Sequence, residues 1–202
     1  WGWRRWHIPS RWDLLRALPR TTPRRLVATA DRLYATLGYA APVSVLDAAT
    51  GEALSVLDGT AGTDEILLDE GTLFLVIRGT DRPEKKTKKD FRISHNPGRI
   101  VAFDAETGTK RWQTDALTIK PLTLASCNRR LYYARGNRVF CLDATTGRDR
   151  WTGEPIETGG WIGTLVATDE VVAVSCGPVR GRKVEKRAYQ RIRYHQAHAF
   201  SA

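Results

Sequence analysis

Residues 102–112 read AFDAETGTKRW, residues 141–151 read CLDATTGRDRW, and residues 45–51 read VLDAATG. One skeleton, Asp-x-x-Thr-Gly, occurs three times with different residues in its gaps. Aligned on Asp47, Asp104, Asp143 and the imperfect Ser201, the copies lie 57, 39 and 58 residues apart. The short separation is the unit, and the two long ones carry insertions of some 18–19 residues. Self-similarity at a fixed period decides the architecture before any local pattern does.

Inside one unit the residues alternate between short apolar runs and turn chemistry. In the third copy LTLAS (122–126), LYYAR (131–135), VFCLD (139–143) and the approach to Trp151 are separated by Asn128-Arg129, Gly136-Asn137 and Thr146-Gly147. The first copy offers LVATA, LYATLG, VSVLD and ALSVL, and the second EILL, LFLVIR, IVAFD and KRWQT; TLVAT and VVAVSC begin a fourth. A single four-stranded meander leaves edges and a face uncovered, so it must stack on copies of itself. Four strands per period of about 40 predict a β-propeller blade. The expected fold is therefore all-β, with antiparallel four-stranded blades at 26–58, 65–115, 122–153 and 163–202. The last blade is truncated, leaving an incomplete ring of about three and a half blades. Residues 1–25 form a basic, Trp- and Arg-rich connector, and 79–99 and 178–198 are basic insertions. RWDLLRALP (11–19) and AYQRIRYHQAHAF (188–200) read as short surface helices.

The repeated phrase has a physical reading. An aspartate closing the third strand accepts hydrogen bonds from amides two and three residues on. Gly51, Gly108 and Gly147 supply the positive φ of a tight hairpin, and the preceding threonine adds a side-chain bond to the backbone. Trp112 and Trp151 then present a broad apolar surface to the neighbouring blade, with Ala102 small beneath it. The gap residues face solvent, which leaves their charges free to vary.

These residues resemble the tryptophan-docking motif, A-x-D-x-x-T-G-x-x-x-W, of the PQQ-like (quinoprotein-type) β-propeller repeat family. Ala102, Asp104, Thr107, Gly108 and Trp112 match it in full; Cys141, Asp143, Thr146, Gly147 and Trp151 match with Cys for Ala. Asp47, Thr50 and Gly51 match, but Val45 and Ser55 replace Ala and Trp, so the first blade is expected to dock more weakly. A WD-repeat reading fails, since Trp-Asp occurs once, at Trp12-Asp13. The resemblance implies a seven- or eight-bladed ring, of which this chain would hold about half. The absence of Met and the closing AFSA, which echoes Ala102-Phe103-Asp104-Ala105, lead to the same expectation of an internal piece.

The net charge of +10 is unevenly spread. Residues 1–25 carry +6, 79–99 carry +4 and 178–198 carry +6, leaving −6 for the blades. Alternate turns of a meander emerge on alternate faces, so both insertions and the N-terminal connector leave on one side. That side is a candidate basic partner-binding face, with Arg4, Arg5, Lys85, Lys86, Lys88, Lys89, Arg182, Lys183, Lys186 and Arg187 as its residues. Its partner is read as a protein or an anionic surface; merely solvated loops are the plain alternative. Nucleic acid is the weaker reading, because Trp1, Trp3 and Trp6 beside Arg4 and Arg5 suit packing against a blade as well as base stacking. No apolar run is long enough for a transmembrane helix.

No chemistry announces itself. GxSxG and phosphate-loop patterns are missing, and His195-x-x-His198 lacks a third ligand, so neither catalytic nor metal residues are assigned and cofactor-binding residues stay unknown. Gly159-Gly160-Trp161 reads as a turn between blades. Cys127, Cys141 and Cys176 lack metal or redox spacing and read as small buried apolar groups. The resemblance admits two functions. Its members in bacterial outer-membrane protein assembly are periplasmic, which implies a non-catalytic scaffold in the cell envelope. Its dehydrogenases hold PQQ and calcium, commonly beside a Cys-Cys pair; this chain has no such pair and no assignable calcium ligand.

Overall fold

A computed structural model of the chain describes residues 24–38, 40–78, 97–157, 162–176 and 196–201. Every regular element in them is a strand, in four antiparallel sheets of consecutive strands. The first sheet holds β1 (Leu26–Ala28), β2 (Arg32–Thr36), β3 (Val43–Asp47) and β4 (Ala53–Val56). The second holds β5 (Thr63–Asp69), β6 (Thr72–Ile77), β7 (Arg99–Asp104) and β8 (Lys110–Gln113). The third holds β9 (Ala125–Cys127), β10 (Arg130–Arg135), β11 (Arg138–Asp143) and β12 (Asp149–Thr152). The fourth holds β13 (Ile162–Ala167), β14 (Val171–Cys176) and β15 (Gln196–Ser201). This is an unclosed arc of β-propeller blades, three of them four-stranded.

Burial follows from stacking. β6 (TLFLVI) is buried at every position, because its sheet has a neighbour on both faces. β4, the outer strand of the first sheet, is exposed along its whole length. The apolar interior divides into three clusters, one per seam between successive sheets. Tyr34, Val43, Val45 and Leu57 meet Leu73, Leu75 and Phe103 in the first. Phe74, Val76 and Ala102 meet Leu131, Tyr133 and Leu142 in the second, and Tyr132, Val139 and Cys141 meet Leu165, Val172 and Val174 in the third. Alternate side chains of one strand feed opposite seams, as the two-residue period of a strand requires.

Turn chemistry sets the registers. Asn128 and Arg129, with φ 50° and 55°, join β9 to β10, and Glu70 and Gly71, with φ 42° and 70°, join β5 to β6. Two successive positive-φ residues are what a tight two-residue hairpin needs.

Three local expectations are corrected. LTLAS does not form one strand: β9 is confined to Ala125–Cys127, since Leu122 takes φ 59° and the amides of Leu122 and Leu124 turn to a carboxylate of the second sheet. The helix expected through residue 200 gives way to β15, whose backbone pairs with β14 from Val171↔Ser201 to Cys176↔Gln196. Cys141 and Cys176 are buried, but Cys127 is only half-buried and its thiol donates to Asp169 Oδ1 at 3.0 Å. RWDLLRALP, the Gly159-Gly160-Trp161 turn and the side chains of the His195/His198 pair lie outside the described residues.

Candidate functional site

The three repeated turns share one geometry. The Oδ1 of Asp47 accepts from the amides of Ala49 and Thr50 at 3.0 and 2.8 Å. Asp104 Oδ1 accepts from Glu106 and Thr107 at 3.0 and 2.8 Å, and Asp143 Oδ1 from Thr145 and Thr146 at 3.0 and 2.9 Å. Gly51, Gly108 and Gly147 close the turns at φ 75°, 69° and 72°, each amide donating to the carbonyl of its aspartate. The threonine hydroxyls accept from the amides of Glu52, Thr109 and Arg148.

The gap residues are not all idle. Arg111 donates to Asp104 Oδ2 at 2.7 Å and to Thr72 Oγ1 at 2.7 Å, and Arg150 donates to Asp143 Oδ2 at 2.5 Å. Both carboxylate oxygens are thus used, and the outer strand is tied to its own turn. The amide of Thr107 and then the Arg111 guanidinium hold the Asp104 carboxyl far below the usual range. Arg150 and the Thr146 amide bring Asp143 down to about 2. Asp47 has no arginine in this position and is lowered by the Thr50 and Ala49 bonds. Freely varying charges therefore hold for some gap positions but not for the residue before each tryptophan.

Across each sheet runs a row of three paired residues: Phe74–Ala102–Trp112 in the second and Tyr132–Cys141–Trp151 in the third. The aromatic at the head of the row meets the tryptophan over the small central residue, with ring centroids 5.9 Å apart in both sheets. At the second seam Trp112 Nε1 donates to the carbonyl of Ala144 in the next sheet at 2.9 Å. Its ring also lies on Gly147, where a Cβ would come within 2.5 Å of Trp112 Cε3. Gly147 is thus fixed twice, by its backbone angle and by the indole above it. At the third seam Trp151 and, from the fourth sheet, Phe200 pack against the same buried cluster.

The first seam uses other groups. Its row is Tyr34–Val45–Ser55. With no indole, Tyr34 Oη donates to the Ala105 carbonyl at 2.9 Å, the counterpart of Ala144, and Arg32 Nη1 donates to the Glu106 carbonyl at 2.9 Å. Leu57, 4% exposed, takes part of the place above Gly108, where a Cβ would lie 3.0 Å from Leu57 Cδ2. Where the second seam has an indole on the Ala144 carbonyl, the first thus has a phenol on the Ala105 carbonyl, joined by the Arg32 guanidinium at 3.3 Å.

Near the inner strands lies a second constellation that the repeat does not contain. Glu65 on β5 is 2% exposed. Its Oε1 accepts from Arg24 Nη2 at 2.6 Å and from the Leu124 amide at 3.1 Å, and its Oε2 from the Leu122 amide at 3.1 Å. Arg24 Nη2 also donates to the Leu124 carbonyl at 2.6 Å. Burial pushes the Glu65 carboxyl up, while Arg24 and the two amides oppose it. Beside it Asp64 pairs with Arg25 at 2.6 Å and with Arg78 at 2.9 Å, and Arg78 donates to the Ile119 carbonyl. Carboxylates already held by guanidinium groups are poor ligands for a calcium ion, so Asp64 and Glu65 do not fit the metal of a quinoprotein site. Among the described residues no three of His, Cys, Asp and Glu come together as a metal group.

All ten residues of the expected basic face, Arg4, Arg5, Lys85, Lys86, Lys88, Lys89, Arg182, Lys183, Lys186 and Arg187, lie outside the described residues. Their anchor points are described. Residues 79–96 leave after β6 and return before β7, and 177–195 leave after β14 and return before β15. Both therefore join the second and third strands of a sheet. At the foot of the first is a cavity of about 490 Å³, lined by Arg78, Gly98, Arg99, Thr114 and Asp115 among others. Sequence reasoning missed Arg111, Arg150, Tyr34, Arg32, Asp64 and Glu65. One signal was present for the first two: arginine directly precedes tryptophan in both full copies.

Meander sheets with these turns and tryptophan rows define the class of the molecule, a β-propeller arc built of four-stranded blades. Residues 96–194 match the family model described as outer membrane protein assembly factor BamB. Among solved structures the chain is similar to the computationally designed Ika4 protein (TM-score 0.60, 10% identity, covering 90% of this chain and 92% of that one). It is also similar to the quinohemoprotein alcohol dehydrogenase ADHIIG of Pseudomonas putida HK5 (TM-score 0.51, 17% identity, 79% and 29% covered). BamB from Moraxella catarrhalis gives TM-score 0.50 at 16% identity, with 80% and 44% covered. The chain spans less than half the length of these two natural propellers, and at such identities the likeness is one of fold. No curated protein matches the sequence.

Proposed function

We propose that the chain serves as a non-catalytic propeller scaffold, binding a protein partner or an anionic surface through the side that carries its basic insertions. The observation behind this reading is topological. Both long insertions join second to third strands, and the N-terminal segment leads into an inner strand, which supports placing the basic residues of these three segments on one side of an otherwise mildly acidic arc. The cavity at the foot of the first insertion opens among the same connections and gives that side relief as well as charge. A surface of this kind acts first on encounter rates and partner choice, and its effects weaken with salt. A location in the cell envelope is part of the same proposal.

The test is association with vesicles containing anionic lipid, and with candidate envelope proteins, at low and high ionic strength. Binding should fall with salt and be lost when Lys85, Lys86, Lys88 and Lys89 are all replaced by Glu. Salt-independent binding, or binding unchanged by that substitution, overturns the basic face. Dye reduction on adding PQQ, calcium and an alcohol together would overturn the non-catalytic reading.

A further inference from the structure

The second seam is closed by an indole, and the first has a serine at the same point of the row. Beside Ser55 the first seam opens into a cavity of about 350 Å³, lined by Leu57, Asp58, Phe103, Thr107, Gly108 and Lys110. The volume lies at the small end of ligand sites. We propose that this cavity is a receptor for a tryptophan side chain presented by a partner protein.

The occupant is read from the chain's own repeat. Ser55 pairs with Val45 as Trp112 pairs with Ala102, so the cavity opens at the row position from which an indole projects one sheet further on, beside the place over Gly108 that Leu57 fills. Its floor, Gly108 at φ 69°, is the counterpart of Gly147 at φ 72°, which lies bare of side chain under the Trp112 ring. Leu57 covers part of Gly108, and the cavity opens beside it. The wall behind is Phe103, 5% exposed and apolar. The rim differs from the second seam in the way an incoming group requires. The Ala105 carbonyl is already engaged by Tyr34, so the indole N–H turns to the exposed Asp58 carboxylate or Thr107 hydroxyl. Lys110 also lines the cavity; its ammonium, now donating to Gln113 Oε1 at 3.4 Å, is exposed and can swing to a ring face for a cation–π contact. An aliphatic side chain would use the floor and wall but neither of these polar groups. The cavity is separate from the basic insertions, and the inference stands whether or not those bind.

The experiment is a titration of the full chain, isotope-labelled for amide NMR, with N-acetyltryptophanamide, and with N-acetylleucinamide as control. Saturable shifts confined to residues 55–58 and 107–110, at least tenfold weaker in affinity with the leucine probe, are expected. Ser55→Trp should fill the cavity from within and weaken binding at least tenfold, and Ser55→Leu should do so in part. The wild-type titration is decisive even if a variant fails to fold: shifts that do not saturate, spread over other surfaces, or match those of the leucine probe overturn the proposal. So does unchanged affinity in both folded variants.

Discussion

Replacing Trp112 by alanine probes the seam that defines the arc. Truncating a core aromatic to alanine costs about 3–5 kcal/mol. Trp112 is half-buried, so its contacts with Phe74 and Gly147 scale to about 2–3 kcal/mol. The Nε1–H bond to the Ala144 carbonyl, which is otherwise close to buried, adds about 1 kcal/mol. The expected loss is about 3–4 kcal/mol for Trp112→Ala, and about 1–2 kcal/mol for Trp112→Phe, which keeps a ring but removes the donor. Urea unfolding followed by circular dichroism gives the total by linear extrapolation. Amide exchange locates it: protection should fall first in β7 to β12 and least in β1 to β3. A loss below about 1 kcal/mol, or equal losses for the alanine and phenylalanine variants, would refute the docking role. So would deprotection spread evenly over all four sheets.

Three further outcomes follow from the other clamps. Tyr34→Phe removes the donor to Ala105 and should cost about 1 kcal/mol in the same urea experiment, with exchange rising at the first seam only. Asp143 is depressed in the fold, so its contribution is present above the ordinary carboxylate range and lost as pH falls from about 4 toward about 2; Asp143→Asn should flatten that part of a stability–pH curve. Glu65→Gln keeps the shape but leaves Arg24 without its counter-charge and the Leu122 amide without an acceptor. A loss of about 3 kcal/mol is expected by thermal or urea unfolding, and a neutral result would show the charge to be dispensable.

The blades could be read in the chain because their information is local. Asp104, Thr107, Gly108 and Trp112 act within eleven residues of one another, and the spacing of such phrases carries the stacking with it. What escaped was whatever acts between sheets. Tyr34 reaches a carbonyl 71 positions away, and Glu65 takes its partners 41, 57 and 59 positions away. Leu122 looked like strand because its apolar neighbours did, while its backbone angle answers to a distant carboxylate. Ser55 illustrates the same limit. Its departure from the motif was visible, but the phenol and guanidinium found at that seam sit on another strand of the sheet.

Glu65 also changes how damage travels. With one apolar cluster per seam, the sheets would behave as beads touching only their neighbours, and a defect would stay where it was made. Arg24, ahead of the first sheet, reaches the Leu124 backbone of the third directly and shares this carboxylate with it. One side chain thus ties non-adjacent members together, so loosening the chain ahead of β1 is felt two sheets away.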